Sequence, residues 1–238
     1  MTEALPSRDT DFRTLSQGAP IMVLAPHPDD ESLGCGALLA HAFSAGTGAR
    51  IVCLTDGSAS HRGSRRYPPA RLASLRRCEL ADAIRCLGGD LSDILWLGEP
   101  DGQSERSDRK ASVIRLLIRL SARLGARSIF APLASDPHSD HRAAAAIAAE
   151  VAAGAGLAHY GYPIWTRWQR PYFRALLDEQ SERRLPLGPH AARKRAAIAA
   201  HRSQHGQVVD DASEAFCLDP GFVADLSTGP ELFYELRK

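Results

Sequence analysis

The chain has 238 residues and a mass of 25.7 kDa, with 44% hydrophobic and 24% charged residues. This usage excludes disordered, collagen-like and disulfide-stapled chains and suits one α/β domain. Its 29 basic residues nearly cancel 28 acidic ones, and a formal charge of +1 offers no whole-chain field for nucleic acid or a membrane surface. Only Lys110, Lys194 and Lys238 are lysines, a preference for Arg that, beside abundant Ala, reads as coding bias in a GC-rich genome and not as function.

Residues 1–19 are largely polar and lack the basic start and apolar core of a signal peptide, so they are expected as an N-terminal tail before a single domain over 20–238. The longest weakly polar run, 143–158, is mostly Ala and Gly and contains Glu150, which is too little apolar surface to span a bilayer. The five cysteines, Cys35, Cys53, Cys78, Cys86 and Cys217, are odd in number and form no CxxC pair. Most sit in apolar segments, so buried free thiols and a cytoplasmic location are expected.

In chain order, 20–25 is a short apolar run that ends in His27-Pro28-Asp29-Asp30-Glu31 and predicts a buried strand followed by a polar loop. Residues 33–45 predict a helix and 50–55 a second strand ending at Asp56-Gly57. A helix over 70–87, closed by Gly88-Gly89, leads to a strand over 93–97. The next helix opens at Ser107 and carries Val113, Leu116, Leu117, Leu120 and Leu124 on one face, before a strand over 128–131. A helix over 139–153, a strand over 158–165 and a final helix over 189–204 complete the pattern. The stretch between the last two, with Trp165, Trp168, Pro171, Pro186 and Pro189, reads as irregular and as part of a pocket wall.

Strands alternating with helices at this spacing predict a Rossmann-like three-layer α/β/α fold with a mostly parallel sheet. Sites in open sheets of this kind form beyond the carboxyl ends of the strands. The polar clusters at 27–31, 56–57, 101–102 and 136–141 all fall there.

Two of these clusters carry chemistry. His27-Pro28-Asp29-Asp30 places an imidazole and two carboxylates at a strand end, with Pro28 fixing one φ angle. His138-Ser139-Asp140-His141 lies at a helix start after another strand. Two histidines and a carboxylate with a position left for water make a hydrolytic metal site, and Zn²⁺ suits such N and O donors. A carboxylate outside the ligand set can take a proton from that water, and an imidazole can support an oxyanion.

The run Ala25-Pro26-His27-Pro28-Asp29-Asp30-Glu31 closely resembles the signature of the LmbE-like, or PIG-L, family of metal-dependent N-deacetylases, and Pro137-His138-Ser139-Asp140-His141 resembles its second motif. Arg76 and Glu79, the loop over 97–102, and the segment from Lys194 to Gln204 are similar to further family features. The resemblance implies that His27, Asp30 and His141 bind Zn²⁺, that Asp29 is the general base, that His138 stabilises the oxyanion and that Asp140 tunes His138. It places Arg76, Glu31 and Asp101 on the substrate, with an ion pair between Arg76 and Glu79 as the alternative for that arginine. Many members have an aromatic hydroxyl before the late Ser-Gln; here His201 stands nearby, read as a surface-helix residue or a proton-transfer group.

Between Gly57 and Cys78 lie His61, Arg62, Arg65, Arg66, Arg71, Arg76 and Arg77 with no acidic residue, a loop suited to an anionic part of a substrate. The expectation is a Zn²⁺-dependent hydrolase that removes an acetyl or other acyl group from a GlcNAc-like sugar or its conjugate, with the basic loop suited to an anionic one. The alternatives are a zinc amidase on a non-sugar or thiol-conjugate amide, a nucleotide-binding module suggested by Gly34-Cys35-Gly36, and a catalytically silent interaction protein.

Overall fold

A strand buried on both faces must be apolar throughout, and Ile21-Met22-Val23-Leu24-Ala25 is. In the computed structural model, which describes residues 8–169, 177 and 181–236, these five form β1 (Ile21–Ala25), an interior strand of the sheet. Ile21 and Val23 enter one hydrophobic core while Met22 and Leu24 enter the other, as strand alternation requires.

The parallel strands are β1, β2 (Ala49–Thr55), β4 (Ile94–Glu99), β5 (Ser128–Pro132) and β6 (Ala158–Tyr162). With β7 (Glu182–Leu185) and β9 (Glu231–Glu235), which are antiparallel, they make a seven-stranded sheet in the order β4-β2-β1-β5-β6-β9-β7. Helices α2 (Asp30–Ser44), α3 (Pro69–Leu87) and α7 (Ala191–Ala200) cover one face, and α4 (Lys110–Leu124) and α5 (Ser139–Ala155) the other. The chain winds outward from β1 through β2 to β4, then returns to place β5 on the opposite side of β1. That reversal opens a crevice between the loops that follow β1 and β5, where open α/β sheets bind ligands.

The sequence expectation of a three-layer, mostly parallel fold holds, and most boundaries fall within three residues of those expected. Four differences have physical causes. Residues 8–19 are not all tail: α1 (Phe12–Ser16) is capped by Asp11 and buries Leu15 completely. The strand expected over 158–165 ends at Tyr162, and Trp165 opens the short α6 (Trp165–Gln169) because Asp136 accepts the Trp165 and Thr166 amides and turns the chain. The helix expected over 189–204 is shorter and is not final, since α8 (Pro220–Thr228) and β9 follow it. On α4, Leu116 is 44% exposed and Ile114 takes its buried place. The irregular reading of the 165–189 stretch falls partly on residues outside the described set.

Cys35 and Cys53 are buried, and desolvation raises both thiols well above their ordinary range, so they are inert. Contrary to expectation, Cys78 and Cys217 are exposed. No helix among the described residues is long and apolar enough to cross a membrane.

Gly34 and Gly36 serve packing. A Cβ at Gly34 would collide with the Tyr162 ring, and one at Gly36 would stand 2.8 Å from Lys194 Cγ. The close approach at Gly36 lets a buried ion pair reach the helix backbone. Lys194 Nζ donates to the Leu33 carbonyl (2.9 Å) and to Glu231 (2.6 Å), whose carboxylate accepts the Ala37 and Leu38 amides at 2.7 and 2.9 Å.

Candidate metal and catalytic site

The loop after β1 is short and tightly held. Thr55 donates from both its amide and its hydroxyl to the Pro26 carbonyl, each at 2.9 Å, which ties the loop to the end of β2. His27 follows, and α2 begins at Asp30, three residues earlier than expected, so Asp30 and Glu31 occupy its first turn. Asp29 joins the two with φ 156° and ψ −28°, a pairing that residues with a Cβ rarely adopt. Across the crevice, His138 caps α5, accepting the Asp140 amide on Nδ1, and His141 sits in the first turn.

The two clusters meet. Asp30 Oδ2 lies 3.2 Å from His27 Nδ1 and 3.2 Å from His141 Nε2. Ligands about 2 Å from a tetrahedral ion stand roughly 3.3 Å apart, so these contacts have the lengths of tetrahedral edges. His27, His138 and His141 also bring ring nitrogens within 4.8 Å of one another, and His27, Asp101 and Asp140 form a second such group. Of the carboxylates, Asp140 is already committed: its oxygens accept the Gly102 and Ser104 amides at 2.7 and 3.0 Å. Asp101 likewise accepts the Ala59 amide.

Electrostatics favour a cation here. Burial opposes charge on His27, yet Asp101, Asp140 and Asp30 hold its pKa well above the ordinary value. Burial also opposes charge on His141, but Asp30 and Asp136 raise it to about 9. Asp30 resists desolvation through His141 and His27 and stays well below the carboxylate range. Both ring nitrogens of His141 are buried without a hydrogen bond. A nest of carboxylates that draws protons onto buried imidazoles, one of them lacking hydrogen bonds, fits a divalent ion that would replace those protons.

Asp29 stands beside this nest. Desolvation raises its carboxyl to about 6, against the pull of the Arg76 guanidinium, whose Nη2 is 3.2 Å from Asp29 Oδ2. Arg76 also donates to the Pro28 and Gly57 carbonyls at 2.9 and 3.0 Å. Gly57, at φ 66°, admits this arm, because a Cβ there would lie 2.6 Å from Arg76 Nη1. Burial lowers the His138 pKa, and charge on His27 and His141 adds to the effect, which outweighs the attraction of Asp140.

The site opens on a cavity of about 470 Å³, which His141 and Asp140, both fully buried, do not line. His27, Asp29, Asp30, Arg76, Asp101 and His138 form its polar end, and Trp165 and Phe216 add aromatic surface. Arg62 and Glu214 stand at facing positions of β3 (His61–Arg62) and β8 (Glu214–Ala215), a separate antiparallel pair.

Four expectations change and one is extended. Glu31, expected on substrate, is fully buried, does not line the cavity and is held by His201. His201 is 1% exposed, not a surface residue. Asp140 acts on His138 through its charge and its backbone amide, as expected, but its carboxylate also touches His27 Nε2 (3.1 Å), which was not expected. The alternative ion pair between Arg76 and Glu79 is replaced by Arg76 with Asp29, while Glu79 accepts the Ser203 amide and hydroxyl. The basic loop is mostly engaged elsewhere: Arg66 pairs with Asp210, Asp211 accepts the Arg65 and Arg66 amides, and Arg71 and Arg77 cover Tyr67 and Trp96.

Sequence reading missed Asp136 as a site residue. It is 1% exposed, accepts the His138 amide, and holds Oδ1 3.4 Å from His141 Nδ1, a place from which a carboxylate orients an imidazole. Its signal was an Asp two residues before a His at a strand end.

The PIG-L family, described as GlcNAc-PI de-N-acetylase, matches residues 22–152. A 1D-myo-inositol 2-acetamido-2-deoxy-alpha-D-glucopyranoside deacetylase from Kineococcus radiotolerans is 35% identical over 104 residues, 42% of this chain and 28% of that protein. The match thus spans under a third of that curated relative. Among solved structures, a conserved protein from Thermus thermophilus aligns with a TM-score of 0.66 and 26% identity, over 91% of this chain and 94% of the other. The N,N'-diacetylchitobiose deacetylase from Pyrococcus horikoshii aligns with a TM-score of 0.58 and 23% identity, over 81% and 72%. With more than half of its length matched, and with both histidine-aspartate motifs meeting in one crevice, the chain belongs to the PIG-L (LmbE-like) family.

Proposed function

We propose that this chain is a zinc-dependent N-deacetylase that acts on a 2-acetamido sugar of the GlcNAc type or its conjugate. The observation that carries this reading is the meeting of His27, Asp30 and His141 at one carboxylate oxygen beside Asp29, at the polar end of a cavity of about 470 Å³. The substrate class draws support from the relatives named above.

His27, Asp30 and His141 would hold the ion, with Asp136 and Asp140 orienting His141 and His27. A zinc ion there supplies Lewis acidity toward an amide carbonyl and lowers the pKa of a water molecule. Asp29 takes a proton from the attacking water on its carboxylate, which Arg76 keeps anionic and aimed into the cavity. His138, with Nδ1 occupied by the Asp140 amide, presents Nε2–H to the carbonyl oxygen as negative charge grows there. Trp165 and Phe216 offer apolar faces to a pyranose ring.

The test is release of free amine from N-acetylglucosamine and a panel of its conjugates by chelator-stripped and zinc-restored protein. Release that requires zinc supports the reading. Release confined to non-sugar amides moves the activity to that class, and no release from any amide with zinc bound overturns it.

Among the arginines of the exposed 62–71 stretch, Arg62 alone lines the cavity, and no ion pair holds it among the described residues. We therefore place any anionic group of the substrate against Arg62. Arg62→Ser should raise KM for an anionic conjugate on the order of fivefold with kcat unchanged, whereas Arg66→Ser should leave both constants alone. Equal KM values for Arg62→Ser and the parent protein would remove the anionic subsite.

A further inference from the structure

The loop that carries Asp29 is gripped from behind by a carboxylate with no other task. Glu31 is fully buried and all its bonds run inward. Glu31 Oε2 accepts the Asp29 amide at 3.0 Å, an amide shared with the His27 carbonyl at 3.0 Å. Glu31 Oε1 accepts the Ser32 hydroxyl and lies 3.0 Å from His201 Nε2. A carboxylate only accepts, so His201 must carry its proton on Nε2. His201 is itself 1% exposed and follows the last turn of α7, so the bond spans 170 residues of chain from the α7 end to the loop. The amide so held belongs to the residue with the least favourable backbone of the site, at φ 156°.

We infer that Glu31 and His201 are positioning residues for Asp29: Glu31 fixes its backbone amide, and His201 fixes Glu31 from the far side. The inference rests on the reading of Asp29 as the proton acceptor. Released from Glu31, the loop relaxes toward ordinary dihedrals and the carboxylate swings away from the attacking water, while the substrate-binding walls at Arg62, Trp165 and Phe216 stay in place. The loss therefore falls on kcat and not on KM, since misplacement by about 1 Å can cost a hundredfold in rate.

The experiment compares zinc-loaded Asp29→Asn, Glu31→Leu, Glu31→Gln, His201→Phe and the Asp29→Asn/Glu31→Leu double variant. It reads kcat, KM, zinc stoichiometry and amide hydrogen exchange of the 27–33 segment. Glu31→Leu should lower kcat by about 30-fold or more, keep KM within about twofold, retain zinc and speed exchange of the segment. Glu31→Gln, which keeps an acceptor for the Asp29 amide, should stay within about threefold of the parent. In the Asp29→Asn background, Glu31→Leu should cost nothing further, because the two act through one group. Parental kcat in Glu31→Leu, or its full loss repeated on top of Asp29→Asn, overturns the inference. Parental kcat in Asp29→Asn alone overturns the reading of Asp29, a separate outcome. Should Glu31→Leu not fold, His201→Phe decides: it keeps the volume and should lower kcat about tenfold, and parental kcat with parental exchange refutes the pair.

Discussion

Asp29→Asn should lower kcat by about a thousandfold, the middle of the range for a lost general base, while zinc binding and the fold survive. The side chain keeps its shape, and Arg76 keeps the Pro28 and Gly57 carbonyls at 2.9 and 3.0 Å, so its buried charge does not lose all its partners. Stability should hold or rise. Burial raises the Asp29 carboxyl to about 6, above its unfolded value, so at pH 7 the folded state carries an ionised group it disfavours, and a neutral amide removes that cost. Steady-state kinetics, metal analysis and a thermal melt measure all three quantities. A kcat within tenfold of the parent would assign the proton to another group.

The second large effect lies about two turns along α2. Lys194→Met should destabilise the protein by about 3–5 kcal/mol, the cost of stranding one partner of a buried ion pair. For a chain of this size that is a fall of roughly 10 °C or more in melting temperature. Both side chains are 1% exposed, and the carboxylate left behind would have only the Ala37 and Leu38 amides to offset its charge. Lys194→Met/Glu231→Leu should lose less than Lys194→Met alone. With both charges gone, the Leu33 carbonyl and Ala37 amide can satisfy each other, as helix geometry pairs residues four apart. Denaturant unfolding of the parent, Lys194→Met, Glu231→Leu and the double variant closes the cycle, and losses that simply add would show that the two charges are not coupled.

Much of this was legible in one sequence because two periodic signals reinforced each other. The apolar run through Leu24 and the following His27-Pro28-Asp29-Asp30 announced a buried strand with a polar end, and the Gly88-Gly89 stop was as clear. The parallel half of the sheet, with its helices, follows from such local patterns. The antiparallel edge does not: β7 reads Glu-Arg-Arg-Leu, and its charges are tolerated because Glu182 is met by Tyr234 and Arg184. Pairings over more than 100 residues are equally silent. Nothing around His201 or Glu231 states that each ends against α2, and the Asp210 and Asp211 anchors of the basic loop lie over 140 residues from the arginines they hold. The motif residues of the site could be listed from the sequence, whereas which carboxylate touches which imidazole required the fold.

The cavity wall built by β3 and β8 rests on two facing residue pairs and lies outside the main sheet, while the groups assigned to the reaction stand on the loops and first helical turns that follow β1 and β5. Reach and reactivity thus have separate foundations. A lineage could lengthen, shorten or recharge those two short strands without disturbing the Asp30 junction, and one chemistry could be re-addressed to new aglycones by exchanging a pair of surface segments.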